Sequence, residues 1–272
     1  MSAPFVIKLG GALMDSPSAL AAVAQQIALM HAAQPGCVVV VHGGGKAVDR
    51  QLAALGMTTE RRDGIRITPP DQVLQISGVL SGQVNAQLVA CMIAAGACAC
   101  GLRLSDTGLA NCERATHFGF DPGCVGSIHG GDPRGLAALL AAGVLPVISS
   151  IGTSSSGELL NVNADDAAAA VATILRARGL VFLTDVPGVL DAQRSIIPNL
   201  DAAAIERLIL DGTVTGGMIP KVRGALDTAA STGVAVTIAG WNDPSALSNL
   251  LTGGVAGTRI TAPSTVPCPG QP

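Results

Sequence analysis

The sequence predicts an α/β protein whose sheet is mostly parallel and carries helices on both faces. Short apolar runs alternate with helical segments along most of the 272 residues. Residues 37–41 (CVVVV) form a nearly continuous β-branched run, which is typical of a strand buried on both faces. Glycines follow the first two such runs, at the points where strand would pass to helix. Repeated strand–helix–strand units of this kind favour a parallel sheet.

The first half of the chain begins with an apolar strand at residues 5–9. Residues 16–33 show helical spacing of Leu20, Val23, Ile27 and Met30 behind a cap at Ser16 or Asp15. Polar residues around residues 63–64 predict a hairpin within 57–69, and the Gly-, Asp- and His-rich residues 105–132 predict hairpins or loops. Further strands are predicted at 37–41, 97–104 and 144–149, and further helices at 47–55, 71–95 and 133–142.

The second half continues the alternation. Strands are predicted at 180–184 and 235–239, and helices at 165–178, 202–210, 219–232 and 245–251. We place a boundary near residues 176–179, between an amino-terminal lobe (1–176) and a carboxyl-terminal lobe (177–260). Residues 261–272 are rich in proline and are expected to be disordered.

Composition excludes several classes of protein. Hydrophobic residues make up 49% of the chain and charged residues 13%, yet the longest apolar runs, 88–102 and 136–148, fall short of the ~20 residues that span a membrane. The net charge of -3 gives no basic patch for nucleic acid. The amino-terminus does not resemble a signal peptide. Seven cysteines, none in a C-x-x-C pair, predict free thiols in a reduced, cytoplasmic setting.

The sequence HGGG at residues 42–45 stands between a predicted strand and a helix. It matches neither the P-loop nor the G-x-G-x-x-G dinucleotide motif. A tight turn with positive φ would need one glycine, whereas three favour backbone N–H groups that converge on an anion. Lys8 precedes a second glycine pair, Gly10 and Gly11, near the carboxyl end of the first strand, where α/β sheets bind ligands. The alternative for Lys8 is a snorkelling edge lysine. Two glycine loops and a lysine predict phosphate chemistry.

Three further clusters carry polar groups with simpler alternatives. Asn161, Asn163 and Asp165 alternate along an extended segment, although Asp165 could merely cap a helix. Residues 184–189 (TDVPGV) end a strand and could be a plain turn. Lys221 lies in the first turn of a helix, where the dipole disfavours a cation unless an anion is near or the side chain is exposed. We interpret His42 as a structural histidine.

These motifs occur in an order that resembles the amino-acid kinase family. The matching segments, which span residues 5–260, are KLGG (8–11), HGGG (42–45), GIRITP (64–69), NVNAD (161–165), TDVPG (184–188) and GMIPK (217–221). The resemblance is strongest to members that phosphorylate N-acetyl-L-glutamate in arginine biosynthesis. It implies a three-layer αβα sandwich with an amino-terminal acceptor lobe and a carboxyl-terminal nucleotide lobe. It also implies transfer of the γ-phosphoryl of MgATP to a side-chain carboxylate, without a general base.

The resemblance implies a role for each matching residue. Lys8 and Lys221 would neutralise charge on the transferring phosphoryl and its leaving group, with Asp165 holding both lysines. Arg66 would bind the α-carboxylate of the substrate from a hairpin that acts as a lid, and Asn161 would assist from the other side. The groups expected at the phosphoryl, the attacking carboxylate or the nucleotide are Gly11, Gly44, Gly45, Thr184, Asp185 and Gly188.

Other expectations concern metals, assembly and rival functions. We expect Mg²⁺ to arrive with ATP and no metal at His117 or His129, whose spacing to cysteine is not a zinc pattern. Because the first strand begins about four residues into the chain, the resemblance implies a homodimer without strong arginine feedback. Two alternatives are a carrier-linked aminoadipate kinase of lysine biosynthesis and a non-catalytic nucleotide or amino-acid sensor. We expect neither nucleic acid nor membrane as a partner.

Overall fold

The computed structural model describes residues 3–243 and 246–262. In chain order its strands are β1 Phe5–Leu9, β2 Val38–His42, β3 Arg61–Arg62, β4 Ile65–Arg66, β5 Ala99–Arg103, β6 Cys112–Arg114, β7 Gly126–Ile128, β8 Leu145–Ser149, β9 Ile151–Thr153, β10 Leu159–Asn161, β11 Gly179–Thr184, β12 Asn199–Leu200, β13 Val236–Gly240 and β14 Thr258–Ile260. Its α-helices are α1 Pro17–Ala33, α2 Gly45–Ala54, α3 Pro70–Ser77, α4 Asn85–Ala94, α5 Arg134–Ala141, α6 Ala164–Ile174, α7 Ala202–Leu210, α8 Met218–Thr232 and α9 Ala246–Thr252.

Eight of these strands form the central sheet, in the spatial order β12-β14-β13-β11-β1-β2-β8-β5. Neighbours from β13 to β5 are parallel, whereas β14 pairs antiparallel with β13. β1 lies between β2 and β11, and its Leu9 is in register with His42 on one side and Leu183 on the other. The carboxyl ends of these three strands therefore meet at one edge of the sheet.

Helices cover both faces of the sheet, which confirms the predicted fold class. Alternate side chains of β2 enter different cores, since Val38 and Val40 belong to one hydrophobic cluster and Val39 and Val41 to the other. The first cluster includes side chains from α1 to α4 and α9, and the second includes side chains from α5 to α8. Val6 of β1 lies in the second cluster, so Lys8 two residues later points toward the layer that contains α6.

The predicted helix at 71–95 is present as a continuous helical stretch, but its middle is unusual. α3 and α4 are joined by a π-helical segment, Gly78–Val84. By length and composition alone, the 25-residue stretch Pro70–Ala94 could cross a membrane, although the apolar runs of the sequence did not predict a span here. It buries three polar side chains inside this fold, Gln72, Ser77 and Asn85, together with its apolar ones. We therefore interpret it as a core helix.

Other elements differ from expectation in their bounds. The helix predicted to reach residue 178 ends at Ile174, because Arg176 has a left-handed φ of 49°. The hairpin is confirmed, with Asp63 and Gly64 both at positive φ in its turn. Residues 105–132 contain the antiparallel pair β6–β7 among loops. The short strands β9, β10, β12 and β14 were not predicted.

The two-lobe division stays a prediction. The central sheet continues through the proposed boundary, because β11 after the boundary pairs with β1 before it. Most of the tail expected to be disordered, residues 263–272, lies outside the described residues.

Candidate active site

A cavity of about 640 Å³ opens at the carboxyl ends of β1 and β2; we call it the main cavity. Its walls also include residues of the β3–β4 hairpin, the β6–β7 pair and the start of α6. The structure thus brings together polar groups that are far apart in the sequence. Of the residues given a role by the resemblance, seven line it: Lys8, Gly11, Gly44, Gly45, Arg66, Asn161 and Asp165.

The glycine loop, residues 43–45, connects β2 to α2, and its first two residues are packed closely against neighbouring side chains. A Cβ on Gly43 would lie 3.0 Å from Cβ of Ala164, and one on Gly44 would lie 2.9 Å from Cδ2 of Leu80. Gly44 is the N-cap of α2 and offers no side chain to the first N–H groups of that helix. Within the described parts of the chain, no group accepts a hydrogen bond from the N–H of Gly44 or Gly45. Such N–H groups at a helix start attract anions.

Lys8 points from β1 to the start of α6. Its Nζ lies 2.7 Å from Oδ1 of Asp165 and 5.5 Å from the centre of the Phe182 ring. The Oδ1 of Asn163 accepts a hydrogen bond from the backbone N–H of Asp165 at 2.7 Å, so Asn163 is the cap of α6. Capping was the alternative role for Asp165, and since Asn163 fills it, the Asp165 carboxylate faces Lys8 instead. The Lys8 side chain is 18% exposed, and the pair lines the main cavity.

Arg66 lies buried at the wall of the main cavity. Its Nη2 is 2.6 Å from Oδ1 of Asp49 and donates a hydrogen bond of 3.3 Å to the carbonyl of Gly45. Its Nη1 is buried and has no hydrogen-bond partner among the described residues. A buried guanidinium nitrogen without a partner is costly, because its hydration is lost without compensation. An incoming carboxylate oxygen would satisfy this donor, because a guanidinium forms strong charge-assisted hydrogen bonds to carboxylates.

Asn161 is connected to Arg66 through Thr68. Its Nδ2 donates to Oγ1 of Thr68 at 3.1 Å, and that hydroxyl donates to the backbone carbonyl of Arg66 at 3.0 Å. The backbone of Thr68 is also held, since its N–H donates to the carbonyl of Pro122 at 2.9 Å. The segment that carries Arg66 is therefore fixed from two sides.

A second group of predicted residues, Thr184, Asp185, Gly188 and Lys221, lies outside the main cavity. Three of them follow or end β11, at the same edge of the sheet as Lys8. Nζ of Lys221 lies 2.8 Å from Oδ1 of Asp185, and this hydrogen bond holds the pKa of Asp185 below its ordinary value. The expectation that Asp165 contacts both lysines is wrong for this structure, because α8 starts beside the loop after β11 and brings Lys221 to Asp185.

The loop after β11 is shaped by two local features. Oγ1 of Thr184 accepts a hydrogen bond of 3.2 Å from the N–H of Val186, which tightens the turn. Gly188 has φ of 152°, and a Cβ there would lie 2.8 Å from Oγ1 of Thr258. Glycine is therefore required at residue 188 by a close approach of β14.

Sequence reasoning did not find Asp49 or Thr68. Asp49 lies one helical turn after Gly45 in α2, so it shares a face with the glycine loop, and this spacing was the available signal. Its Oδ2 also lies 3.4 Å from Nη2 of Arg61. Thr68 belongs to the matched segment GIRITP (64–69), but the sequence did not indicate which group its hydroxyl would contact.

Comparisons with known proteins show which family the chain belongs to. A model of the amino acid kinase family matches residues 3–240. An acetylglutamate kinase of Aliivibrio fischeri (strain MJ11) is 44% identical over 257 residues, which cover 94% of this chain and 97% of that protein. An acetylglutamate kinase of Moritella profunda is 41% identical over 262 residues, or 96% and 98% of the two chains. A crystal structure from Streptococcus mutans UA159 superposes with a TM-score of 0.72 at 27% identity, covering 96% of this chain and 99% of that one. The chain belongs to the amino acid kinase family.

Proposed function

We propose that this protein transfers the γ-phosphoryl of MgATP to the side-chain carboxylate of N-acetyl-L-glutamate, the second step of arginine biosynthesis. The products are ADP and N-acetyl-L-glutamyl 5-phosphate. The observation that carries the proposal is the main cavity, which combines a lysine, a buried guanidinium and backbone N–H groups, where Nη1 of Arg66 and these N–H groups have no partner among the described residues. The names of the relatives that match 94–96% of the chain support the acceptor.

The chemistry needs no general base. A glutamate side chain has a pKa of ~4.3, so its carboxylate is ionised near pH 7 and one oxygen can attack the γ-phosphorus directly. As that P–O bond forms, the bond from the γ-phosphorus to the bridging oxygen of ADP breaks, and the electron pair leaves with ADP. The protein then contributes alignment and charge neutralisation.

Arg66 is the proposed site for the α-carboxylate of the acceptor. Asp49 engages Nη2, which leaves Nη1 to bind a substrate oxygen. Asn161 lines the same cavity and is linked to Arg66 through Thr68. These contacts would fix one end of the acceptor, so its side chain would extend toward the glycine loop and Lys8.

The transferring phosphoryl would lie between the glycine loop and β1. The N–H groups of Gly11, Gly44 and Gly45 would contact its oxygens or those of the attacking carboxylate, and Lys8 would offset the developing charge. Asp165 would keep Lys8 aimed into the cavity.

The nucleotide would lie next to this site, at the carboxyl end of β11. Thr184, Asp185 and Gly188 would line it, and Lys221 would contact the leaving phosphates. Mg²⁺ would enter as part of the MgATP substrate. Because Lys221 is paired with Asp185, it would share that partner with a phosphate oxygen or exchange it for one.

The test is ADP release with MgATP and, in parallel, N-acetyl-L-glutamate, free L-glutamate and N-acetyl-L-aminoadipate. We expect turnover with N-acetyl-L-glutamate at a kcat/KM at least about tenfold above either other acceptor. Preference for another acceptor, or turnover with none of them, would contradict the proposal.

We also propose that the protein is a homodimer. The stretch Pro70–Ala94 exposes the large apolar side chains of Leu74 and Ile93, which are 65% and 56% accessible. Burial of such side chains is the usual driving force for association. Light scattering should give twice the chain mass of 27.0 kDa, and Leu74→Lys should lower it. Leu210→Lys, an exposed leucine in the opposite helix layer, is the matched control. A monomeric wild type would contradict the proposal.

The proposed location is the cytoplasm. The six cysteines within the described ranges are all free, and three of them are buried. Free thiols are typical of a reducing compartment. Fractionation of cells that express the protein would test this.

A further inference from the structure

His42 ends β2 immediately before the glycine loop, and its side chain is completely buried. Its Nδ1 lies 2.9 Å from the carbonyl oxygen of Gly43. Its Nε2 lies 3.0 Å from Nδ2 of Asn85, the first residue of α4. The Nδ2 of Asn85 also donates to the carbonyl of Val147 at 2.9 Å. A chain of hydrogen bonds therefore runs from β8 through Asn85 and His42 to the loop.

These partners fix the protonation of the ring. A carbonyl can only accept, so Nδ1 of His42 must carry the hydrogen, and Nε2 then accepts from the amide of Asn85. The orientation of that amide follows from Val147, because the opposite orientation would place two oxygens against each other. Burial lowers the pKa of His42 to about 4, so the ring is neutral near pH 7.

The surroundings leave His42 and Asn85 little freedom. A Cβ on Gly101 would lie 1.9 Å from Oδ1 of Asn85, so the edge strand β5 has glycine where this amide sits. The π-helical segment directly before Asn85 supplies Leu80 and Val84, and a Cβ on Gly44 would lie 2.9 Å and 3.2 Å from them. One helical stretch thus contacts Gly44 with apolar atoms and holds His42 with an amide.

The carbonyl of Gly43 and the N–H of Gly44 belong to the same peptide plane. In a trans peptide these two groups point in opposite directions. A hydrogen bond that draws the Gly43 carbonyl toward the buried ring therefore turns the Gly44 N–H away from it. The structure gives this N–H no acceptor among the described residues, and Gly44 lines the main cavity.

We propose that His42, held by Asn85, is a positioning residue that sets the Gly43–Gly44 peptide so that the Gly44 N–H faces the reacting oxygens. The role rests on the proposed function, because it concerns the groups that transfer the phosphoryl. His42 touches neither substrate and exchanges no proton with them. It acts through the loop, and it should affect the transition state more than the binding of either substrate.

Three variants test this role. His42→Leu keeps a buried side chain but removes both hydrogen bonds, and His42→Asn restores a donor near the position of Nδ1. Val41→Ala, in the same strand but in the opposite core cluster, is the matched control for lost stability. We expect His42→Leu to lower kcat on the order of 10²-fold, with both KM values within about threefold of wild type. His42→Asn should recover at least about tenfold of that loss, and Val41→Ala should keep kcat within about twofold while its Tm falls.

A kcat of His42→Leu within threefold of wild type would overturn the role, as would a folded His42→Asn that recovers nothing. If His42→Leu does not fold, Asn85→Leu is the second variant, because it removes the donor to Nε2 of His42 at nearly constant side-chain shape. We expect it to lower kcat by about tenfold. A wild-type kcat in Asn85→Leu would overturn the role. A crystal structure of His42→Leu, or of Asn85→Leu in its place, is a readout that needs no activity. We expect the Gly43–Gly44 peptide to be turned, and an unchanged peptide would overturn the role. Absence of turnover in the wild type would count against the proposed function alone.

Discussion

Removal of the Lys8 amine is the most direct test of the proposed chemistry. Lys8→Met keeps much of the side-chain length but removes the charged Nζ, and with it the cation–π contact to the Phe182 ring. Lys46→Met is the matched control, because Lys46 adjoins the glycine loop and is paired with an aspartate, Asp15, at 3.1 Å. Lys46 is 64% exposed and does not line the main cavity.

The expected effect on rate is larger than the expected effect on stability. Loss of one preorganised group that stabilises transition-state charge lowers kcat about 10²- to 10³-fold, or about 2.7 to 4 kcal/mol. The Lys8–Asp165 pair is only partly buried, since Asp165 is 49% exposed. Solvent screens such a pair, so its loss should change the free energy of unfolding by about 1 kcal/mol or less. A thermal melt separates the two effects.

The assay is initial-rate ADP release under saturating MgATP and N-acetyl-L-glutamate for wild type, Lys8→Met and Lys46→Met. We expect Lys8→Met to lose at least about 10²-fold in kcat with a melting temperature lowered by a few degrees. Lys46→Met should stay within about twofold of wild type. A Lys8→Met enzyme within fivefold of wild type would refute the role of Lys8, and equal losses in both variants would refute its specificity.

Three further outcomes follow from the same contacts. Arg66→Lys should raise the KM for N-acetyl-L-glutamate about tenfold or more and leave the KM for MgATP unchanged. The reason is that a hydrogen bond to a charged group contributes about 1.5 to 3 kcal/mol. Equal effects on both KM values would contradict a carboxylate site at Arg66. Gly44→Ala should lower kcat at least about tenfold because its Cβ would meet Leu80, whereas Gly78→Ala, with open space around its Cβ, should leave kcat unchanged; similar rates in the two variants would contradict this. The unfolded chain protonates His42 near pH 6.5 and the folded chain only near pH 4, so the unfolded state binds more protons between these values. The free energy of unfolding should therefore fall by about 3 kcal/mol as the pH drops from 6.5 to about 4. Urea titrations at the two pH values should show this fall in the wild type. The His42→Asn variant should not show it.

The fold could be predicted from the sequence largely because its strands are buried on both faces. A run such as that of β2 has no polar alternation, and glycine marks where it ends, so its position is clear within one residue. The strands that were missed are two or three residues long, and their pairing depends on tertiary contacts rather than on local pattern. The π-helical segment Gly78–Val84 was not predicted either.

The candidate site was predictable where the residue type itself carries the chemistry. A lysine in an apolar strand and consecutive glycines at a strand end are unusual enough to be noticed, and the structure places both at one cavity. Pairings between distant elements were not predictable. Asp49 is an ordinary acidic residue in the sequence, and Asp185 was expected to line the nucleotide rather than to pair with a lysine. Their contacts with Arg66 and Lys221 depend on how α2 and α8 pack.

Lys8 and Lys221 pair with different carboxylates, so changes at the two carboxylates should affect the rate independently. If Asp165 held both lysines, Asp165→Asn would disturb both, and a second change at Asp185 would add little. In the structure each lysine has its own carboxylate, at 2.7 Å and 2.8 Å, and the described residues give these pairs no common partner.

Changes at independent pairs contribute additively to the activation free energy, usually within about 0.5 kcal/mol. We therefore expect the fold losses in kcat/KM of Asp165→Asn and Asp185→Asn to multiply in the double variant, within a factor of about two. The measurement is a double-mutant cycle on initial rates with both substrates below their KM. A double variant no slower than Asp165→Asn would show that the two lysines act as one unit during turnover, despite their separate partners here.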